Sequence, residues 1–349
     1  MKISIGMRLQ SGPWGGGNRF GSALGAYLRL RGHEVCHDLT PQDLDIILLA
    51  EPECRLRISA YDHADILRYL LFSNKKALVV HRINNTSEAR DDGAKSFNRF
   101  RIHANQVADH TVFVSQWARS CYLASGFGAD RPATVILNGA DASQWRPAAD
   151  AGTRADDGCL RIVTHHWSTH PNKGWDVYRR LDALQGCPPW NEWLRFTFVG
   201  RLPEGERMVN GRHVQPCTGE ALAEELRGHD VYLTASRHEA GPNHLLEGAL
   251  CGLPLLYLES GSMAEYGDGY GIPYTPETLE NVLLAMREER LSWHRKVLEY
   301  PFTADRMCAA YLELFERLIA GRADLMAARR WSSQWSWMVK CLLNRPWNG

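Results

Sequence analysis

The chain has 349 residues, 44% of them hydrophobic and 23% charged, which is enough for one large or two medium globular domains. Forty acidic residues balance forty basic ones, so no global field points to a nucleic-acid partner. Nine cysteines are scattered with no CxxC pair, which argues against a disulfide framework and for a reducing, cytoplasmic setting. No run approaches the roughly 18 apolar residues of a membrane span. The start, MKISIGMRLQ, lacks the apolar stretch of a signal peptide.

KISIG (2–6) predicts a first strand, followed by the glycine-rich loop SGPWGGGNRF and a helix over about 19–31. LDIILLA (44–50), KALVVHRI (76–83), HTVFVS (110–115) and ATVILN (133–138) are short, nearly continuous apolar runs. Such runs suit parallel strands buried on both faces. RPAADAGTRADDG (146–158) carries almost no large apolar residue and reads as a linker. The alternation then restarts. Strands are predicted at 160–166, 194–200, 213–217, 230–236 and 254–259, with helices near 174–185, 219–228 and 243–251. Two doubly wound α/β domains, 1–150 and 151–320, are therefore expected, with the carboxyl ends of their strands facing a cleft between them.

Several stretches could carry chemistry. Gly15, Gly16 and Gly17 lie between a strand and a helix, where backbone N–H groups suit an anion. Their spacing from Gly6 does not match a dinucleotide fingerprint, so the loop reads as a wall for phosphate or sugar, or as a plain surface turn. VVHRINN gathers His81, Arg82, Asn84 and Asn85 at a strand end, as ligand contacts or as a turn held by its asparagines. THHWSTHPNKG holds His165, His166 and His170 without metal-ligand spacing. Lys173, ahead of a helix, makes a point charge for phosphate. In SRHEAGPNHLLEGALCGLPLL, Pro242 fits a first helical turn, so the helix should start near Pro242 or Asn243. Glu239 then sits in the preceding loop and Glu247 in the second turn, both beside the cleft. Helix N–H groups between them can hold a diphosphate while the carboxylates accept from sugar hydroxyls.

Glu239-x7-Glu247 followed by GALCGLPLL resembles the E-x7-E signature of the retaining family 4 glycosyltransferases of GT-B fold, in the subgroup with Pro-Asn inside the motif. VILNGADASQW, FVGRLPEG, LAEELRGHDVYLTAS, SGSMAEYGDGYGIPY and FTADRMCAAYLELFERL agree in order and spacing over roughly residues 1–320. The resemblance implies two Rossmann-like domains, an acceptor domain and a nucleotide-sugar donor domain. It places Glu247 at the nucleotide ribose and Glu239 at the donor sugar. Backbone groups of Gly241, Pro242, Asn243 and His244 would lie on sugar and diphosphate, with Lys173 against phosphate charge. Gly16, Gly17 and His81 would stand near sugar and acceptor, with Arg82 and Asn84 on the acceptor side. The family commonly has an arginine about five residues before the lysine; this chain has Ser168, so a histidine or Arg201 would supply the second positive or donor group.

The implied activity is retaining glycosyl transfer from a nucleoside-diphosphate sugar to a saccharide or lipid-linked saccharide, in surface polysaccharide or lipopolysaccharide assembly. No metal or other cofactor is expected. A sugar-nucleotide epimerase or phosphorylase-like enzyme of the same fold, a non-catalytic nucleotide-sugar-binding subunit and a nicotinamide oxidoreductase are the alternatives. The tail, 321–349, places Trp331, Trp335, Met338 and Leu342 at helical spacing. It suits either peripheral contact through 329–347 with the inner face of the cytoplasmic membrane, or packing back over the domain junction.

Overall fold

The computed structural model describes residues 1–10, 16–53, 57–148 and 157–343. Two units are built, Met1–Leu137 together with Ala304–Gly349, and Asn138–Thr303. The expected linker falls outside the described residues over 149–156, as does Gly15.

The first unit carries strands β1 (Lys2–Ile5), β2 (Glu34–Cys36), β3 (Ile46–Leu49), β4 (Leu78–Ile83), β5 (His110–Phe113) and β6 (Ala133–Val135). Its helices are α1 (Gly16–Leu30), α2 (His63–Phe72), α3 (Ser96–Ala104) and α4 (Gln116–Ala124). The sheet is parallel, in the order β2-β1-β3-β4-β5-β6. The unbroken apolar run of β3 follows from burial on both faces. Ile46 and Leu48 enter one core with Ile5 and Leu24, while Ile47 and Leu49 enter another with Leu67 and Leu70. Asp62 starts α2 by accepting the Ala64 and Asp65 N–H groups, and Asp65 reciprocates on the Asp62 N–H in a capping box.

The second unit carries β7 (Leu160–His166), β8 (Leu194–Gly200), β9 (Arg212–Val214), β10 (Val231–Thr234), β11 (Leu255–Leu258) and β12 (Gly271–Tyr274). Its helices are α5 (Trp175–Gln185), α6 (Trp190–Trp193), α7 (Gly219–Arg227), α8 (Asn243–Leu250), α9 (Met263–Gly267) and α10 (Leu279–Val297). The parallel order is β12-β11-β10-β7-β8-β9. Pro273 is tolerated because β12 is an edge strand, where a missing N–H costs no ladder bond. Both sheets are α/β and doubly wound, as the alternation of apolar runs predicts.

The boundaries differ from those expected at 150 and 320. The chain leaves the first unit at Leu137 and returns at Ala304. The return helix α11 (Ala304–Ala320) buries Met307, Tyr311, Leu314 and Phe315 in the core that holds Ile3, Leu24 and Leu28. Phe20 of α1 and Tyr311 meet with ring centroids 5.2 Å apart. An amphipathic helix goes where its apolar stripe is covered, and here that is α1 rather than the second sheet.

The tail is not a separate domain. After α11 come α12 (Arg322–Ala327), a 3₁₀ turn over 330–333 and α13 (Trp335–Leu343). Arg322 pairs with Asp45 at 2.6 Å, and Arg329 with Asp109 at 2.8 Å. Trp331, Trp337, Met338 and Cys341 are buried in the second core of the first unit. The single face expected from Trp331, Trp335, Met338 and Leu342 is split, because Trp331 lies on the 3₁₀ turn and only the later residues share a helix. The exposed apolar residues of α13 are instead Trp335, Val339 and Leu343. No helix among the described residues is long and apolar enough to cross a membrane.

Candidate functional site

In each sheet the strand order reverses at one point, and open α/β sheets bind ligands beyond the carboxyl ends of the strands at such a point. In the second unit it lies between β7 and β10. There the sequence delivers His165 and His166 at the end of β7, Lys173 in the turn that follows, and Glu239 with the start of α8 beyond β10. The site is thus assembled from segments about 70 residues apart.

Each piece is held by local geometry. Lys173 closes a 3₁₀ turn, Pro171–Lys173, in which His170 Nδ1 accepts the Asn172 N–H at 3.2 Å. Gly174 follows with φ of 78°, and a Cβ there would lie 2.2 Å from the Ala235 carbonyl oxygen, so only glycine lets this turn close on the end of β10. The Arg237 N–H donates to the Asn172 carbonyl at 2.7 Å, linking the two loops. The Glu239 carbonyl accepts from both the N–H and the hydroxyl of Ser262, at 2.9 Å each. Lys173 Nζ then meets Glu239 Oε1 at 2.5 Å, both side chains about one-fifth exposed.

The helix begins at Asn243 with Pro242 as its cap residue, as predicted from Pro242. No side chain caps it; the Asn243 N–H donates to the Gly241 carbonyl and the Leu245 N–H to the Pro242 carbonyl, each at 3.0 Å. Glu247 differs from the expectation of an acid bordering open space. Its side chain is only 4% exposed, and its Oε2 takes a hydrogen bond from His165 Nε2 at 2.9 Å. Tyr232 supplies the next link, its hydroxyl 3.1 Å from His165 Nδ1. A carboxylate accepts only, so Nε2–H donates to Glu247 and the phenol donates to Nδ1, a consistent tautomer. His244 lies beside this chain, its Nε2 2.9 Å from the Thr234 hydroxyl and its ring 5.0 Å from that of His166. Burial, with Lys173 and His165 nearby, holds His244 well below the ordinary histidine value. His166, bonded to the Tyr178 hydroxyl at 2.6 Å, is held down by burial, then by His244, Lys173 and His165. Both rings are therefore neutral at neutral pH.

Ser168 is exposed, its hydroxyl accepting the His170 N–H at 3.2 Å. Arg201 joins the site only through its backbone, whose N–H donates to the His166 carbonyl at 3.2 Å, while the residue is exposed. Gly241, Pro242 and Asn243 sit at the helix start as expected, with Asn138 Nδ2 3.3 Å from Asn243 Oδ1.

The first unit holds the remaining candidates at its own reversal point, between β1 and β3. Gly16 and Gly17 belong to the first turn of α1 rather than to a loop, and a Cβ on Gly17 would come within 4.0 Å of Glu51 Oε1. His81 is a correction: it is the fourth residue of the central strand β4 and wholly buried, its Nδ1 3.0 Å from Asn105 Nδ2. Burial and then the Arg101 charge drive its pKa well down, so the ring is a neutral core group rather than one facing a ligand. Arg82 is also buried, its guanidinium 3.9 Å from the centre of the Phe20 ring. Asn84 donates to Glu51 Oε1 at 2.9 Å, and Arg101 pairs with Glu51 at 2.9 Å and Glu53 at 3.3 Å. Glu51, Arg101 and Tyr232 are residues of these clusters that sequence reasoning missed. The signal for Glu51 was present, an acid directly after the apolar run of β3; Arg101 and Tyr232 had none.

No family model matches the chain, and no curated protein matches it. Solved structures do. HepE of Anabaena, in complex with UDP and glucose, is 15% identical with a TM-score of 0.66, covering 91% of this chain and 100% of that one. Sucrose-phosphate synthase from Thermosynechococcus elongatus is 13% identical with a TM-score of 0.62, covering 92% and 99%. The catalytic domain of starch synthase IV from Arabidopsis thaliana, bound to ADP and acarbose, is 12% identical with a TM-score of 0.65, covering 91% and 99%. At these identities the likeness carries the fold: two parallel α/β sheets of the GT-B kind, the architecture of these glycosyltransferases.

Proposed function

We propose that the chain is a retaining glycosyltransferase that moves a sugar from a nucleoside-diphosphate donor to a saccharide or lipid-linked saccharide. The observation that carries this reading is the convergence of Lys173, Glu239, His244 and Glu247 on the uncapped start of α8, at the strand-order reversal of the second sheet. Donor binding is assigned to 138–303. The Gly241 and His244 N–H groups and the Lys173 ammonium receive the diphosphate, and they stabilise the charge that develops there as the glycosidic bond breaks. Glu247, oriented by His165 and Tyr232, accepts from ribose hydroxyls, and Glu239 contacts the donor sugar. These devices supply positive charge from the protein itself, so the transfer is proposed to proceed without a metal cofactor. On the first unit, Asn84 with Glu51 and Arg101 offers donors and acceptors to the incoming saccharide.

The bound UDP and glucose of HepE and the ADP and acarbose of starch synthase IV favour such a donor here. A role in surface polysaccharide or lipopolysaccharide assembly at the inner membrane face fits the exposed Trp335, Val339 and Leu343 of α13. The test is a thermal-shift and transfer screen of nucleoside diphosphates and their sugars, with the anomeric configuration of the product read by NMR. One nucleoside diphosphate should raise the melting temperature, and its sugar should be transferred with the configuration kept. Stabilisation by none of them, or an inverted product, overturns the reading. Sedimentation with anionic vesicles tests the membrane role: binding should be lost in a Trp335→Ser/Val339→Ser variant.

A further inference from the structure

We propose that His63, His103 and Cys341 form a metal site, best suited to zinc, that fastens the C-terminal helix α13 to the first unit. The three residues come from the first turn of α2, the last turn of α3 and the last turn of α13. One ligand atom of each lies within 4.8 Å of the other two. Two imidazole nitrogens and a sulfur suit a borderline-soft ion such as zinc far better than magnesium or calcium. Zinc takes its nitrogen and sulfur ligands at roughly 2.0–2.3 Å.

A second observation points to a ligand. His63 is 8% exposed, yet its Nδ1 has no hydrogen-bond partner among the described residues. Leaving a buried polar atom unmet costs about 1–3 kcal/mol, and a metal removes that cost. The surroundings agree. Trp337 lies beside both imidazoles, with ring centroids 6.4 Å from His63 and 6.0 Å from His103. Binding exchanges the Cys341 S–H for a metal–thiolate bond and sends one proton to solvent, with no change of oxidation state. Three protein ligands leave a fourth position for water.

The consequence is a tie between segments nearly 280 positions apart in the chain, added to the packing of Trp337 and Met338 of that helix. The full chain, stripped with a chelator, is titrated with Co²⁺ and then Zn²⁺. One equivalent of Co²⁺ should bind and show a thiolate-to-cobalt charge-transfer band that Zn²⁺ removes, and Zn²⁺ should raise the melting temperature. Cys341→Ser should abolish the band. His103→Gln should weaken affinity at least about tenfold, the low end of the cost of losing even an outer partner of a metal ligand. Absence of the band in the unaltered chain, or a band that survives in Cys341→Ser, leaves an aromatic packing cluster only and overturns the proposal. Neither readout depends on glycosyl transfer.

Discussion

At the scale of single residues, Lys173 and Glu247 are the two charged groups on which the proposed donor site depends, and they are held differently. Lys173 is partly exposed and paired with Glu239, so the proposed diphosphate would compete with that carboxylate. Glu247 is buried and depends on His165 and Tyr232 for its orientation. Replacing Lys173 with methionine keeps the apolar stem and removes the charge. A hydrogen bond to a charged group is worth about 1.5–3 kcal/mol, so Lys173→Met should lower kcat/KM for the donor roughly 10–150-fold in initial-rate measurements. A fall of less than about threefold would detach Lys173 from phosphate binding. Glu247→Ala should abolish the nucleotide-induced thermal shift. It should also destabilise the chain by about 1–3 kcal/mol in urea, because His165 Nε2 loses its acceptor in a buried setting.

At the scale of elements, α8 packs on β10 closely enough that one helical position must lack a side chain. A Cβ on Gly248 would lie 2.3 Å from Cγ of the Tyr232 ring. Glycine in a helix interior ordinarily costs about 1 kcal/mol relative to alanine. Here the sign reverses. Gly248→Ala should lower stability by about 1–3 kcal/mol, the usual cost of overpacking, and weaken nucleotide binding as well, because Tyr232 positions His165. A urea midpoint that rises in this variant would show that the helix can move away from β10 freely. The tail shows the same principle at the other end of the chain. Its residues alternate between burial on the first unit and exposure, so packing and a free apolar stripe coexist in α13 instead of excluding one another.

At the scale of the whole molecule, buried neutral imidazoles make stability depend on pH. His110 is held down to about 4 by burial and then by Arg317, and His166 and His244 are held well below 6.5. The unfolded chain binds protons at these groups near 6.5 and the folded chain does not, so stability rises with pH through this window. Stability is complete above about 6.5 and is lost as pH falls towards the folded values, at up to about 1.4 kcal/mol per pH unit for each such ring. Carboxylates with lowered pKa values, such as Asp45 and Asp176, contribute above 3.8 and lose their part only below it. The urea midpoint should therefore drop steadily from pH 7 to pH 5; a flat profile would mean that these rings titrate freely in the folded state.

The sequence by itself determined what short-range preference controls. Apolar runs marked β7 and β8 at 160–166 and 194–200, Pro242 set the start of α8, and the spacing of Glu239 and Glu247 put one acid in a loop and one in a helix. Its resemblance to GT-B enzymes anticipated the fold for the same reason, since that pattern is written in buried strands and helix starts. The tertiary structure alone decided which distant groups meet. Glu247 found His165 across 82 positions, and α11 returned to the first sheet because its apolar stripe is complementary to α1. The edge strands β2 and β12, three and four residues long, exist because a neighbouring strand pairs with them. His81 became a core residue although it reads as a strand-end ligand, because side-chain direction along a strand depends on which faces are covered. Local backbone chemistry is legible residue by residue; burial and pairing belong to the packed chain.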